Sequence, residues 1–166
     1  MKKVIRYGMF ETNSSSCHSV TVKGKYNKDD YVLIVNHSGI ISVYLDEYGW
    51  NGDPCDDFQS KLAYAMSMVL NTEYPDFQYW NEDFFVDENI LEELDGYKML
   101  LNAINERCKC KQIVIKRRRD FYPYGYIDHQ SCEYASLQDF LDDWNVDVNR
   151  FLFDDNVVVH IDNDNH

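Results

Sequence analysis

The chain has 166 residues, 45% of them hydrophobic and 27% charged, which is enough apolar material for one domain with its own core and too little for two. With 29 acidic against 16 basic side chains the net charge is −13, so the surface as a whole repels phosphate backbones and anionic lipid headgroups, and general nucleic-acid coating is excluded. Aromatic residues at 15% exclude a disordered acidic tail, which lacks the apolar mass to offset chain entropy.

Residues 1–6 are basic but reach Gly8 and Glu11 before any apolar stretch long enough for a signal peptide. No apolar run of about 18 residues predicts a membrane-spanning helix, and no membrane partner is expected. The five cysteines, an odd number without an export signal, predict reduced thiols and a cytoplasmic setting. Residues 19–22 alternate, residues 31–35 form a short apolar run, and residues 40–45 follow the turn-type Asn36, His37, Ser38 and Gly39, which predicts a hairpin. Gly49 through Pro54 break the pattern. Residues 58–70 then place Leu62, Ala65, Met66 and Val69 at helical spacing, with Asp56 and Asp57 at the positive end of the macrodipole.

Residues 74–87 mix Pro75, four acids and six aromatics without a period and read as an aromatic-rich loop or short turns. A second helix is expected over 90–107, with Leu91, Leu94, Leu101 and Ile104 inward and Gly96 a weak point costing about 1 kcal/mol against Ala. Residues 112–116 read as a strand, and 121–125 as a turn into 126–129, a second hairpin. Ser136 with Asp139 starts a helix over 137–144, a further short one is expected over 146–153, and 157–161 closes as a strand. The whole chain, 1–166, therefore reads as one α+β domain with a mainly antiparallel sheet built from hairpins and two to four helices.

Two polar stretches stand out chemically. Glu11, Asn13, Ser14, Ser15, Ser16 and His18 supply a carboxylate, an amide, hydroxyls and a base, a set suited to anion binding or hydrolysis and equally to a capped polar turn. Residues 6–19 resemble the opening of a family of small phage and prophage proteins: a basic stretch, FETNSSS, a variable residue, then HS. Residues 47–50, 128–131 and 162–165 are similar to shorter recurring pieces of that family. The resemblance implies a phage or mobile-element setting and a polar site, without a mechanism. Cys17 falls at the variable position, which argues against a catalytic thiol there.

Asp128, His129, Gln130 and Ser131 form the second stretch. His129 is the second titrating group, and in a continuous strand these four would split between two faces. Lys109, Lys111, Lys116, Arg117, Arg118 and Arg119 concentrate positive charge in an acidic chain and read as a phosphate contact or as exposed cross-strand ion pairs. Cys108, Cys110, His129 and Cys132 carry zinc-type donors at a spacing that lacks the usual knuckle. Asp142, Asp143, Asp147, Asp154, Asp155, Asp162 and Asp164 read as solubilising surface, as Mg²⁺ chelators, or as an imitation of nucleic-acid charge.

The leading expectation is an accessory protein that binds a phosphate-bearing small molecule, such as a nucleotide, between the two polar stretches. Arg6 or Arg117 would give countercharge, Asn13 and Gln130 orientation, and His18 and His129 any acid–base step. No cofactor is assigned. One alternative is an acidic inhibitor that occupies the nucleic-acid groove of a host or defence protein. A second is a small metal-dependent phosphoryl-transfer enzyme.

Overall fold

Helix α1 (Phe58–Glu73) begins at a reciprocal cap: Ser60 N donates to Asp57 Oδ1 at 2.8 Å, and Asp57 N donates to Ser60 Oγ at 3.3 Å. The expected one-sided apolar stripe is wider than the spacing implied. Every residue from Lys61 to Leu70 is buried, as befits a central helix covered on all sides. In this computed structural model, which describes residues 16–25, 38–49, 52–78, 80–81, 84–116, 125–127 and 134–163, three later helices and one strand pack directly against α1.

Strand β1 (Ser16–Val22) pairs antiparallel with β4 (Val157–Asn163), His18 facing Ile161 and Val22 facing Val157. Strand β2 (Ile40–Tyr44) pairs parallel with β3 (Gln112–Lys116), Ile41 facing Ile113. A parallel pair needs a long crossover, and residues between β2 and β3 supply it with three helices. Among the described residues β2 and β3 take this long-range pairing, while the two expected hairpins rest on residues 31–35, 121–124, 128 and 129, which lie outside the described residues. The α+β class stands, with one antiparallel and one parallel pair.

The helix expected over 90–107 is two helices, α2 (Glu88–Leu91) and α3 (Asp95–Asn105), because Leu94 takes an extended conformation at φ −70°, ψ 136°. Helix α4 (Leu137–Asp143) is capped by Ser136 Oγ accepting from Asp139 N at 3.2 Å, and α5 (Val148–Phe153) by Asp147 Oδ1 accepting from Arg150 N at 2.9 Å. This split makes five described helices where two to four were expected. Among the described residues, no helix is long and apolar enough to cross a membrane.

Candidate functional site

Where β2 ends, the chain turns through Asp46, Glu47 and Tyr48 and comes back past Gly52, Asp53 and Cys55 to the N-terminus of α1. Together with Ile161 of β4 these residues enclose a groove of about 750 Å³. Backbone bonds fix its rim. Tyr48 N donates to Tyr126 O at 2.7 Å, while Cys55 and Val159 exchange N–H···O bonds at 2.9 and 3.0 Å. Its described wall carries four carboxylates, Asp46, Glu47, Asp53 and Asp57, and no Lys, Arg or His. Glu47, Asp53 and Asp57 are exposed, so their charge reaches solvent.

Cys55 sits in the groove wall. Burial pushes its thiol up to about 12, with Asp57, Asp46 and Asp56 adding to the shift, so the free thiol holds its proton at neutral pH and is a poor nucleophile.

His18 lies one layer behind the groove. It belongs to β1 rather than to a polar loop, and residues 16–18 are strand because they pair with residues 161–163 of β4. Its Nδ1 is 3.0 Å from the phenol oxygen of Tyr64 on α1, and the two rings stand 5.7 Å apart. Tyr64 is fully buried and meets Tyr48 edge-on at 5.1 Å, and Tyr48 lines the groove. In strand alternation His18 shares a face with the buried Val20, cross-strand from Ile161. That places the imidazole as a half-buried member of the core side.

Of the other expected site residues, Ser16 is in β1 by its backbone. Arg6, Glu11, Asn13, Ser14, Ser15, Arg117, Asp128, His129, Gln130 and Ser131 lie outside the described residues, as do Arg118, Arg119 and Cys132. Lys109, Lys111 and Lys116 are exposed. Cys108 Sγ donates to Ile104 O at 3.4 Å and Cys110 Sγ to Gln112 O at 3.5 Å, and burial raises both thiols. Among the described residues no group of three or more His, Cys, Asp or Glu is placed to hold a metal ion.

The acidic residues divide by use. Asp142 accepts from Gln138 Nε2 at 2.7 Å, Asp143 from the Tyr134 hydroxyl at 3.0 Å, and Asp147 caps α5. Asp154 is buried and accepts from Asn156 N, Asn156 Nδ2 and Arg150 Nε. The groove carboxylates Asp46 and Asp53 escaped attention in the sequence, and Glu47 drew it only as part of residues 47–50, because they stand among Gly, Pro and Tyr without a period. His160 escaped too, although alternation over 157–161 sets it opposite the three buried aliphatic residues; its Nε2 is 3.0 Å from Thr21 Oγ1. Compared with known proteins, the chain matches no family model, no curated protein and no solved structure.

Proposed function

We propose that the protein is an accessory protein of a phage or mobile element that presents its carboxylate-lined groove to a cationic surface of another protein, occupying a site that otherwise holds nucleic acid. The observation carrying this reading is the groove wall itself, four carboxylates with no described cation among them. Such a wall attracts arginine and lysine side chains and repels a phosphate. The net charge of −13 works in the same direction at long range, steering a basic partner before contact. For a phosphate-bearing ligand the expected countercharge is Arg6 or Arg117, both of which lie outside the described residues.

The test pairs an arginine-rich peptide with a nucleotide panel, read by thermal shift and titration calorimetry at low salt. Asp46→Asn, Glu47→Gln and Asp53→Asn together are expected to weaken peptide binding at least tenfold, about 1.4 kcal/mol. Asp57 is spared because it caps α1. Undiminished peptide binding by the triple variant overturns the groove as the site. Stabilisation by a nucleotide, lost in Asn13→Ala and kept in the triple variant, returns the phosphate reading.

A further inference from the structure

Lysine is almost never fully buried unless an opposite charge accompanies it. Lys61, on the inner face of α1, has 0% exposure and makes no ion pair among the described residues. Its Nζ donates to the backbone carbonyls of Asp154 at 2.9 Å and Val157 at 3.4 Å, the first at the end of α5 and the second opening β4. Two acceptors match the two N–H groups of a neutral amine, whereas an ammonium brings three donors.

The charges facing this amine come from each packed segment. Asp56 and Asp57 stand at the start of α1, Asp154 and Asp155 in the α5–β4 turn, and the Cys55 thiol at the isolated bridge to Val159 of β4. Asp57 is engaged by the α1 cap and Asp154 by Asn156 and Arg150. Loss of water around Lys61 outweighs the attraction of the carboxylates, and its amine is held below the ordinary lysine range.

We propose that Lys61 is a proton-operated latch between α1 and the α5–β4 turn, which opens by letting the amine reach water and take up a proton and closes by expelling it. An aliphatic side chain of similar length would fill the same space without this coupling. The closed state binds fewer protons than the open one. Closure therefore strengthens as pH rises from the amine's lowered value toward the ordinary lysine value, and is unaffected by pH below that window. Within the window one proton per opening changes the opening constant about tenfold per pH unit. The latch is independent of whatever the groove binds.

Native-state hydrogen exchange on the full chain tests it, read at the amides of Val157 and Val159 from about pH 7.5 to 9.5 and corrected for intrinsic exchange. Cys55 holds its proton in the closed state at about 12 but, once opening exposes it, ionises nearer the ordinary thiol value, which favours opening as pH rises equally in wild type and Lys61→Met, so Lys61 is read from the difference between the two chains. Relative to Lys61→Met, wild type is expected to open less as pH rises, by up to about tenfold per unit. The same pH dependence in the two chains overturns the latch. Should Lys61→Met not fold, an NMR titration of the Lys61 amine in the native chain decides. A midpoint below the ordinary lysine value supports the latch, and one at or above it overturns the proposal.

Discussion

Asp154 shows how one buried side chain joins three pieces of the chain. Burial alone would raise its carboxyl, but the N–H donors of Asn156 and the Arg150 guanidinium outweigh that cost, and the net shift is downward. Arg150 Nη2 also donates to the carbonyls of Lys23 and Gly24, so the Asp154 carboxylate anchors the group that ties the end of β1 to α5. The sign follows directly. A carboxyl lowered in the folded state contributes stability that is complete above its unfolded value and is lost as pH falls through the folded one. Wild type should therefore lose stability below about pH 4, whereas Asp154→Asn starts less stable at pH 7 by about 1 to 3 kcal/mol and shows a shallower acid slope. Urea titrations at pH 7, 4 and 3 check both; an unchanged slope in the variant refutes the assignment. At Cys55 the matching expectation is chemical: at pH 8 peptide-mapped alkylation should leave it unmodified in the folded chain and modify it after unfolding, because the thiol at about 12 is protonated and buried.

Between elements the controlling contact is Gly96 against Glu73. The N-cap of α3, Leu94, has no capping side chain, and Glu73 at the end of α1 substitutes for one by accepting from Gly96 N at 2.9 Å and from Leu137 N of α4 at 3.5 Å. A Cβ on Gly96 would stand 2.5 Å from Val69 Cγ2 and 2.6 Å from Glu73 Oε1. Gly96 is thus a point of close approach between α3 and α1, rather than a weak point within a helix. Gly96→Ala should destabilise, the gain of about 1 kcal/mol in helix propensity being outweighed by overpacking of about 1 to 3 kcal/mol. Glu73→Ala should cost about 1 to 2 kcal/mol, and the pair should be strongly non-additive in a double-mutant cycle by thermal melting. Independent, additive effects would show that the two do not meet.

The same contact shows what the sequence made legible. The helix starts after Asp57 and Ser136 and the strand over 157–161 rest on neighbours within four residues, and a local pattern reports them, whereas α5 begins at Val148 behind its Asp147 cap and not at 146 as expected. The break at Leu94, the parallel pairing of β2 with β3 and the groove beside Cys55 depend on partners far along the chain, which no local period encodes. His18 was legible as a residue to single out. Its place was not, since the Tyr64 hydroxyl that binds it lies 46 residues away.

For the molecule as a whole, the decisive feature is the excess of carboxylates at the surface. Three described cations are engaged within the fold, Lys61 by burial, Arg107 at 4.8 Å from the Phe153 ring centroid, and Arg150 by Asp154 and two carbonyls, while Lys23, Lys25, Lys98, Lys109, Lys111 and Lys116 are exposed. The groove carboxylates have no described cation among them. A chain of net charge −13 arranged this way repels itself when folded, and the repulsion acts between exposed groups that salt screens within about 10 Å at 0.1 M. Raising NaCl from about 0.02 to 0.5 M should therefore raise the Tm of the free protein while weakening its hold on an arginine-rich peptide, because the same screening removes both the self-repulsion and the attraction. A bound phosphate ligand relying on Arg6 or Arg117 would lose affinity with salt as well, so the discriminating observation is direction of charge: doubling the peptide's arginine content should tighten binding, and doubling a ligand's phosphates should not. If affinity instead grows with phosphate number, outward carboxylates are solubilising surface and the working site lies among the residues flanking β1.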